Sequence, residues 1–279
     1  MKTFLLGLLI VLFTVPALSA ERTESAYDRV VRTKTLRCAY TSNASASAPD
    51  SGKEFSDMFS ELLTEMAQQL GLKIEWVKEV SYDALSAGFQ AGRYDAVCGG
   101  YSEMPSRAWS SDFTKPFVFS PFVMYVRATE TRFKDLNDLN KNGISIATLD
   151  GEMSQIVVRS DFPMAQEKPF SGLAAATDRL EMVATGKADA TPMESAIAEE
   201  YTAKNPGKIK QLGGLLRMEG STILIPHNEF ALKNMLDTAI DAMLWNGVIE
   251  KIVKKHEKYP GTVLVPAPAY QPAPVAGEK

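Results

Sequence analysis

Apolar and polar positions follow two different periods along this chain, and the changes between them predict alternating strands and helices. Residues 36–40 form a short apolar run of strand length. Residues 55–70 carry apolar side chains at helical spacing, and Gly71 follows where a helix commonly ends. Residues 73–77 predict a second strand. A strand, a helix and a strand of these lengths form a βαβ unit, which implies a parallel sheet.

A weak internal repeat predicts two lobes. Residues 91–96, Ala-Gly-Arg-Tyr-Asp-Ala, recur as residues 185–190, Thr-Gly-Lys-Ala-Asp-Ala. In both copies a helical segment precedes the glycine, which can adopt the left-handed conformation that ends a helix, and a short strand follows. One copy would indicate only a helix-to-strand turn. Two copies predict two lobes of similar α/β construction.

Two apolar, strand-like runs, residues 122–127 and 222–225, are placed to cross between these lobes and form a hinge. They predict a first lobe of residues 21–122 plus 223–258. The second lobe is then residues 123–222, with the hinge strands at its ends.

Both chain ends are expected to lie outside the fold. Lys2, the apolar residues 4–15 and the small residues before Glu21 are typical of a cleaved export signal over residues 1–20. The apolar run is shorter than the roughly 20 residues that span a bilayer, although an uncleaved anchor is the alternative. The Pro- and Ala-rich residues 259–279 cannot bury a core and are predicted to be disordered. The protein is therefore expected in the periplasm.

Charge and composition exclude several classes of partner. The formal net charge is −4 at pH 7, and no long basic run is present. This argues against nucleic acid and against adsorption to anionic lipid. The two histidines, His227 and His256, lie near no cysteine or carboxylate cluster with metal-ligand spacing, so no metal and no cofactor is expected.

The two cysteines, Cys38 and Cys98, both fall in predicted strands. Free cysteine is often a small buried apolar residue, and this is the interpretation that we favour from the sequence. An oxidising compartment would also permit a disulfide between them, which is the alternative.

A longer motif occupies residues 92–107, GRYDAVCGGYSEMPSR, and continues as DFTKPF at residues 112–117. It resembles the family-3 extracellular solute-binding proteins, the polar amino-acid receptors of ABC importers, over about residues 30–258. The resemblance implies an α/β, periplasmic-binding-protein-like fold of type II, with two similar lobes joined by two hinge strands. It also implies a monomeric receptor, without catalytic residues, that delivers an amino acid or derivative to an ABC permease.

The resemblance assigns four ligand-binding residues to the first lobe. Arg107 holds the position of the arginine that clamps the ligand carboxylate, and a planar guanidinium matches a carboxylate bidentately. Ser102 would donate a hydroxyl, and Gly100 would let the ligand approach the backbone. Tyr82 lies where the family places a wall for the ligand. A surface arginine and a core tyrosine are the alternatives for Arg107 and Tyr82.

The second lobe departs further from the family pattern. Glu194 occupies the position of an aspartate that binds the ligand's ammonium, and a solvated glutamate is the alternative. Glu152 lies in a run, residues 149–154, where the family has a helix N-terminus that helps to hold the carboxylate. Glu152 either faces the cleft, where with Glu194 it would favour a ligand of extra positive charge, or satisfies the helix dipole and points outward. Residues 42–53 lack the family's aromatic segment.

The alternative function is an enzyme on the same scaffold. A dehydratase-like protein would use Glu194 as general acid, with its pKa raised by burial. Neither a nucleophile–base–orienter set nor a Gly-rich phosphate loop is evident in the sequence. The sequence therefore predicts a binding protein.

Overall fold

The computed structural model describes residues 24–40, 58–78, 85–171 and 174–267. The predicted export signal, residues 1–20, lies outside them. The helices are α1 (Ala26–Thr33), α2 (Met58–Gln69), α3 (Leu85–Gln90), α4 (Met153–Asp161), α5 (Ala176–Ala184), α6 (Ser195–Lys204), α7 (Phe230–Trp245) and α8 (Val248–His256). The strands are β1 (Thr35–Tyr40), β2 (Lys73–Lys78), β3 (Ala96–Ser102), β4 (Ser111–Phe113), β5 (Val118–Arg127), β6 (Ser145–Leu149), β7 (Gln166–Phe170), β8 (Ala190–Glu194) and β9 (Ile209–Pro226). No helix in these ranges has the length and apolar character needed to cross a membrane.

The strands form one sheet in the order β2-β1-β3-β9-β5-β8-β6-β7, with β4 paired to β9. In the first lobe β1 runs parallel to β2 and β3, and β9 is antiparallel to β3. In the second lobe β6 runs parallel to β7 and β8, and β5 is antiparallel to β8. Each lobe thus has three parallel strands, and next to them lies an antiparallel strand that crosses between the lobes. The long strands β5 and β9 pair with each other and connect the lobes, so the predicted two-lobed α/β fold is confirmed.

The internal repeat marks the same turn in both lobes. The glycine of each copy has a positive φ, +61° in the first and +76° in the second. The aspartate at the end of each turn makes the same kind of hydrogen bond. The carboxylate of Asp95, directly before β3, accepts a hydrogen bond from the backbone N–H of Arg37 on β1 at 2.8 Å. Asp189 does the same for the N–H of Ser145 at the start of β6, also at 2.8 Å. Each aspartate therefore ties its turn to the central strand of its lobe.

Buried apolar side chains form separate clusters in the two lobes. The largest cluster of the first lobe joins residues 30–118 to residues 223–253, so the C-terminal helices return to the first lobe. Both clusters of the second lobe contain buried residues only between positions 122 and 212. This separation supports the division into residues 21–122 plus 223–258 and residues 123–222, which we retain as a proposal.

The cysteines are bonded, so the prediction of two free thiols was wrong. Cys38 and Cys98 form a disulfide with a Cα–Cα distance of 5.5 Å. Cys38 lies opposite Ala96 in the β1–β3 register, which puts Cys98 two positions further along β3 and on the same face of the sheet. The pairing depends on β1 and β3 being neighbours, and the spacing of the cysteines in the sequence does not show this.

The prediction of a disordered tail was wrong for its first part, residues 259–267. Leu264 and Phe119 exchange two backbone hydrogen bonds of 2.7 Å, so the segment pairs with the start of β5. Val263 and Val265 pack against the core of the first lobe, and Thr262 is buried. The apolar residues among 262–265 supply this contact before the Pro- and Ala-rich sequence begins. The rest of the predicted tail, residues 268–279, lies outside the described residues.

Candidate ligand-binding site

The register of the crossing strands places two glutamates on one face of the sheet where the lobes meet. Ser120 on β5 pairs with Glu219 on β9, and Phe122 on β5 pairs with Glu194 on β8. Paired residues of adjacent strands point to the same face. Ser120 and Phe122 also share a face, because they are two positions apart. Glu194 and Glu219 therefore approach each other across β5.

A cavity and a serine flank these two glutamates. Glu194 and Ser120 border a cavity of about 270 Å³ between α2, α6 and the segment that follows α8. Its other walls combine apolar residues such as Phe59 and Ile197 with charged residues such as Glu200 and Lys258. Ser102 pairs with Ser221, two positions beyond Glu219, and so lies on the same sheet face as Glu219.

Arg107 lies at a contact between the two lobes. It ends a single 3-10 turn, Pro105–Arg107, that follows β3. Its Nη2 donates a hydrogen bond to the carbonyl oxygen of Gly151 at 2.6 Å. Gly151 lies in the turn between β6 and α4, in the second lobe, and has a φ of +75°. A guanidinium of the first lobe thus reaches the backbone of the second.

Glu152 is used inside the second lobe. It caps α4, where its carboxylate accepts a hydrogen bond from the backbone N–H of Ser154 at 2.9 Å. The same carboxylate pairs with Nη1 of Arg179 at 2.7 Å, and the Arg179 side chain is only 1% exposed. Of the alternatives stated from the sequence, the helix-capping role is therefore present, but the carboxylate does not point outward. Arg179 itself went unrecognised, because one arginine in an amphipathic helix gives no signal that it is buried.

Glu194 ends β8 and stands at the N-terminus of α6. Its side chain is half-buried. Burial and, to a smaller extent, the Glu152 carboxylate raise the pKa of Glu194 to about 7, whereas Arg179 acts in the opposite direction. A part of the Glu194 population therefore holds a proton at neutral pH.

Glu219 is a candidate site residue that the sequence did not indicate. It is 5% exposed, and its Oε1 accepts no hydrogen bond within the described part of the chain. Burial raises the pKa of Glu219 well above its usual value, and the carboxylates of Glu194 and Glu152 add to the rise. Ser102 and Arg179 lower it in part. The available signal was that Glu219 is the one acidic residue in the sequence of β9.

Of the two remaining predicted site residues, the structure describes Gly100 but not Tyr82. Gly100 has a φ of +79°, and a Cβ at this position would lie 2.3 Å from Cε1 of Phe59. The ring of Phe59 therefore occupies the space where a side chain at position 100 would lie. A ligand that approached the backbone of Gly100 from this side would contact that ring. Tyr82 lies outside the described residues, as do residues 42–53, and its role stays a prediction.

Two lobes of the same strand topology, joined by crossing strands and enclosing a polar cluster, define the class of two-lobed binding proteins. The chain belongs to the bacterial extracellular solute-binding proteins, family 3, whose sequence profile matches residues 46–258. The recognition made from residues 92–117 is confirmed by this match. The relatives are named as binding proteins: one of an amino-acid ABC transporter, one for histidine and one for glutamate.

Two relatives illustrate the extent of the similarity. A probable amino-acid ABC transporter-binding protein of Haemophilus influenzae is 28% identical over 182 residues, which are 64% of this chain and 67% of the relative. A probable histidine-binding protein of Campylobacter jejuni is 22% identical over 263 residues, which are 92% of this chain and 99% of the relative.

Solved structures show the same fold. The ancestral amino acid-binding protein AncCDT-1, a precursor of cyclohexadienyl dehydratase, has a TM-score of 0.71 at 23% identity, with 84% of this chain and all of that chain covered. An ancestral arginine-binding protein bound to arginine has a TM-score of 0.69 at 22% identity, with 80% of this chain and 98% of that chain covered.

Proposed function

We propose that this protein is a periplasmic receptor that captures an amino acid or a related small amino compound between its lobes. It delivers that ligand to the permease of an ABC importer in the inner membrane. Its membership in the extracellular solute-binding family and the amino-acid ABC transporters named for two of its relatives support this function. We propose further that it acts as a monomer and that residues 1–20 are removed on export.

The observation that carries the proposal is the contact of Arg107 with the opposite lobe. Its guanidinium donates to the Gly151 carbonyl, at the junction where a ligand would be enclosed. A carboxylate is a stronger, charge-assisted acceptor for the same group and can bind it bidentately. A ligand carboxylate would therefore replace the Gly151 carbonyl as the acceptor of Arg107.

The remaining predicted residues have distinct parts in this proposal. Glu194, in the second lobe, accepts a hydrogen bond from the ligand's ammonium group. Ser102, in the first lobe, donates a hydrogen bond from its hydroxyl to the ligand. Tyr82 is proposed as a wall of the ligand-binding site. Gly100 has no side chain, which leaves room for Phe59 at the edge of the cavity. Glu152 positions the start of α4 through its cap and its pairing with Arg179. Closure requires that the ligand bind the closed form better than the open form.

The raised pKa of Glu194 is also what a general acid on this scaffold would need. Because the relatives are named as binding proteins, we favour binding over catalysis, and the test below would detect turnover.

The proposal is tested by a thermal-shift screen of protein that has been unfolded, freed of ligand and refolded. The panel contains amino acids, amino-acid derivatives, polyamines and prephenate-like acids. A ligand at 100 times its dissociation constant adds about 2.7 kcal/mol of stability, which is readily measured as a rise in Tm. We expect a shift with an unaltered amino compound. No shift with any amino compound, together with turnover of an acid in the panel, would contradict the proposed function.

A further inference from the structure

Glu219 has an unsatisfied acceptor at the meeting of the lobes. Its side chain is 5% exposed, and Oε1 accepts no hydrogen bond from any described residue. It points to the sheet face that also carries Ser120, and Ser120 lines the cavity of about 270 Å³ beside Glu194. Leaving a buried carboxylate oxygen without a donor is costly. A bound group that carries N–H donors would remove that cost.

The charges around Glu219 leave two carboxyl groups uncompensated. Glu152 from α4 and Arg179 from α5 face the same region, and they pair with each other at 2.7 Å. Within the described ranges Arg179 is the one cation that acts on both Glu194 and Glu219, and it is already paired with Glu152, whereas Ser102 is a neutral neighbour of Glu219. Two adjacent carboxyls, one buried and one half-buried, do not readily ionise together unless a positive charge joins them.

The nature of that positive charge follows from the surroundings. Among the described residues, no group of three or more His, Cys, Asp or Glu side chains is arranged to hold a metal ion. The cavity bordered by Glu194 also has charged residues in its lining, but Phe59, Ile197 and Val263 give it apolar surface that suits the methylene groups of an organic chain. An organic cation with N–H donors therefore fits the site.

We propose that Glu219 is a ligand-binding residue that forms a cation-binding pair with Glu194, and that the ligand is an amino acid with a cationic side chain. This inference rests on the proposed function. Arg107 balances the ligand carboxylate, and the two carboxyls balance its two cationic groups. In the ligand-free protein the pair holds a proton, and that proton passes to solvent when the ligand brings its two cationic groups to the site.

The test compares L-arginine with L-citrulline, which has nearly the same shape but a neutral side chain. Isothermal titration calorimetry at pH 7 measures both affinities for the wild type, Glu219→Gln and the control Glu250→Gln, whose side chain on α8 is 57% exposed. We expect the wild type and the control to bind L-arginine at least about tenfold more tightly, and Glu219→Gln to lose most of this preference. Titrations in phosphate and in Tris, which differ in ionisation enthalpy, should show proton release that Glu219→Gln reduces.

Equal affinity for the two compounds, or no binding of L-arginine by the wild type, would overturn the inference. The wild-type comparison decides this even if Glu219→Gln folds poorly. If a neutral amino acid binds instead, and Arg107→Ala abolishes that binding, the proposed function stands and only the role of the pair is lost.

Discussion

The buried pair of Glu152 and Arg179 shows that a residue predicted to bind the ligand also has a structural role within its own lobe. Glu152 caps α4 and neutralises an arginine that is almost fully buried. Its position next to Gly151 also sets the backbone that Arg107 contacts. The charge that the sequence offered as a possible ligand contact is therefore paired within the second lobe, and in our proposal Glu219 supplies the additional carboxylate of the site.

Removing the charge of Glu152 should destabilise the protein strongly. Glu152→Gln leaves Arg179 charged and buried without its partner, and we expect a loss of about 3 kcal/mol in the free energy of unfolding. Urea unfolding followed by circular dichroism measures this loss. The matched control is Glu250→Gln, which removes an exposed carboxylate paired with Lys254 and should cost under about 0.5 kcal/mol. Equal losses in the two variants would contradict the buried role of Glu152.

At the scale of elements, the sequence predicted features that depend on neighbouring residues. It did not predict features that depend on which distant segments pair with each other. The repeated turn at residues 91–96 and 185–190 could be predicted because the glycine, the basic residue and the aspartate act within a few positions of one another. The disulfide and Glu219 could not, because both depend on which strands are neighbours. The tail was mispredicted because its apolar residues gain their stability from β5, far away in the chain.

The disulfide should contribute substantially to the first lobe. Cys38 and Cys98 are 60 residues apart in sequence, and closing a loop of that length restricts the unfolded chain by about 4 kcal/mol. We expect the double variant Cys38→Ala, Cys98→Ala to lose a comparable free energy of unfolding. Reductant should lower the urea midpoint of the wild type and leave that of the double variant unchanged. A wild-type midpoint insensitive to full reduction would show that the bond adds no stability.

At the scale of the whole molecule, the raised pKa values of Glu194 and Glu219 make the stability of the protein depend on pH. Glu194, with a pKa of about 7, and Glu219, with a pKa raised well above its usual value, bind more protons in the folded than in the unfolded state. The stability that these two groups contribute is therefore fully present below their unfolded pKa values and is lost as the pH rises toward and through the folded values. Glu130, whose pKa is lowered to about 2, stays ionised in this range and adds no slope above pH 5.

The ligand-free protein should therefore lose thermal stability between pH 5 and pH 8. Glu219→Gln should flatten this slope, because it removes one carboxyl and relieves the other of a like charge. Differential scanning calorimetry at several pH values measures the effect. A Tm of the wild type that rises with pH over this window would contradict the assignment of the raised pKa values.

The central claim is that Arg107 holds the carboxylate of an amino compound between the lobes. The most direct measurement is calorimetric titration of the compound with the largest thermal shift into Arg107→Ala, the wild type and the control Arg32→Ala, whose side chain is 64% exposed. We predict that Arg107→Ala keeps its ligand-free Tm and binds about 100-fold more weakly or not at all, and that Arg32→Ala binds like the wild type. Wild-type affinity in folded Arg107→Ala would contradict the account.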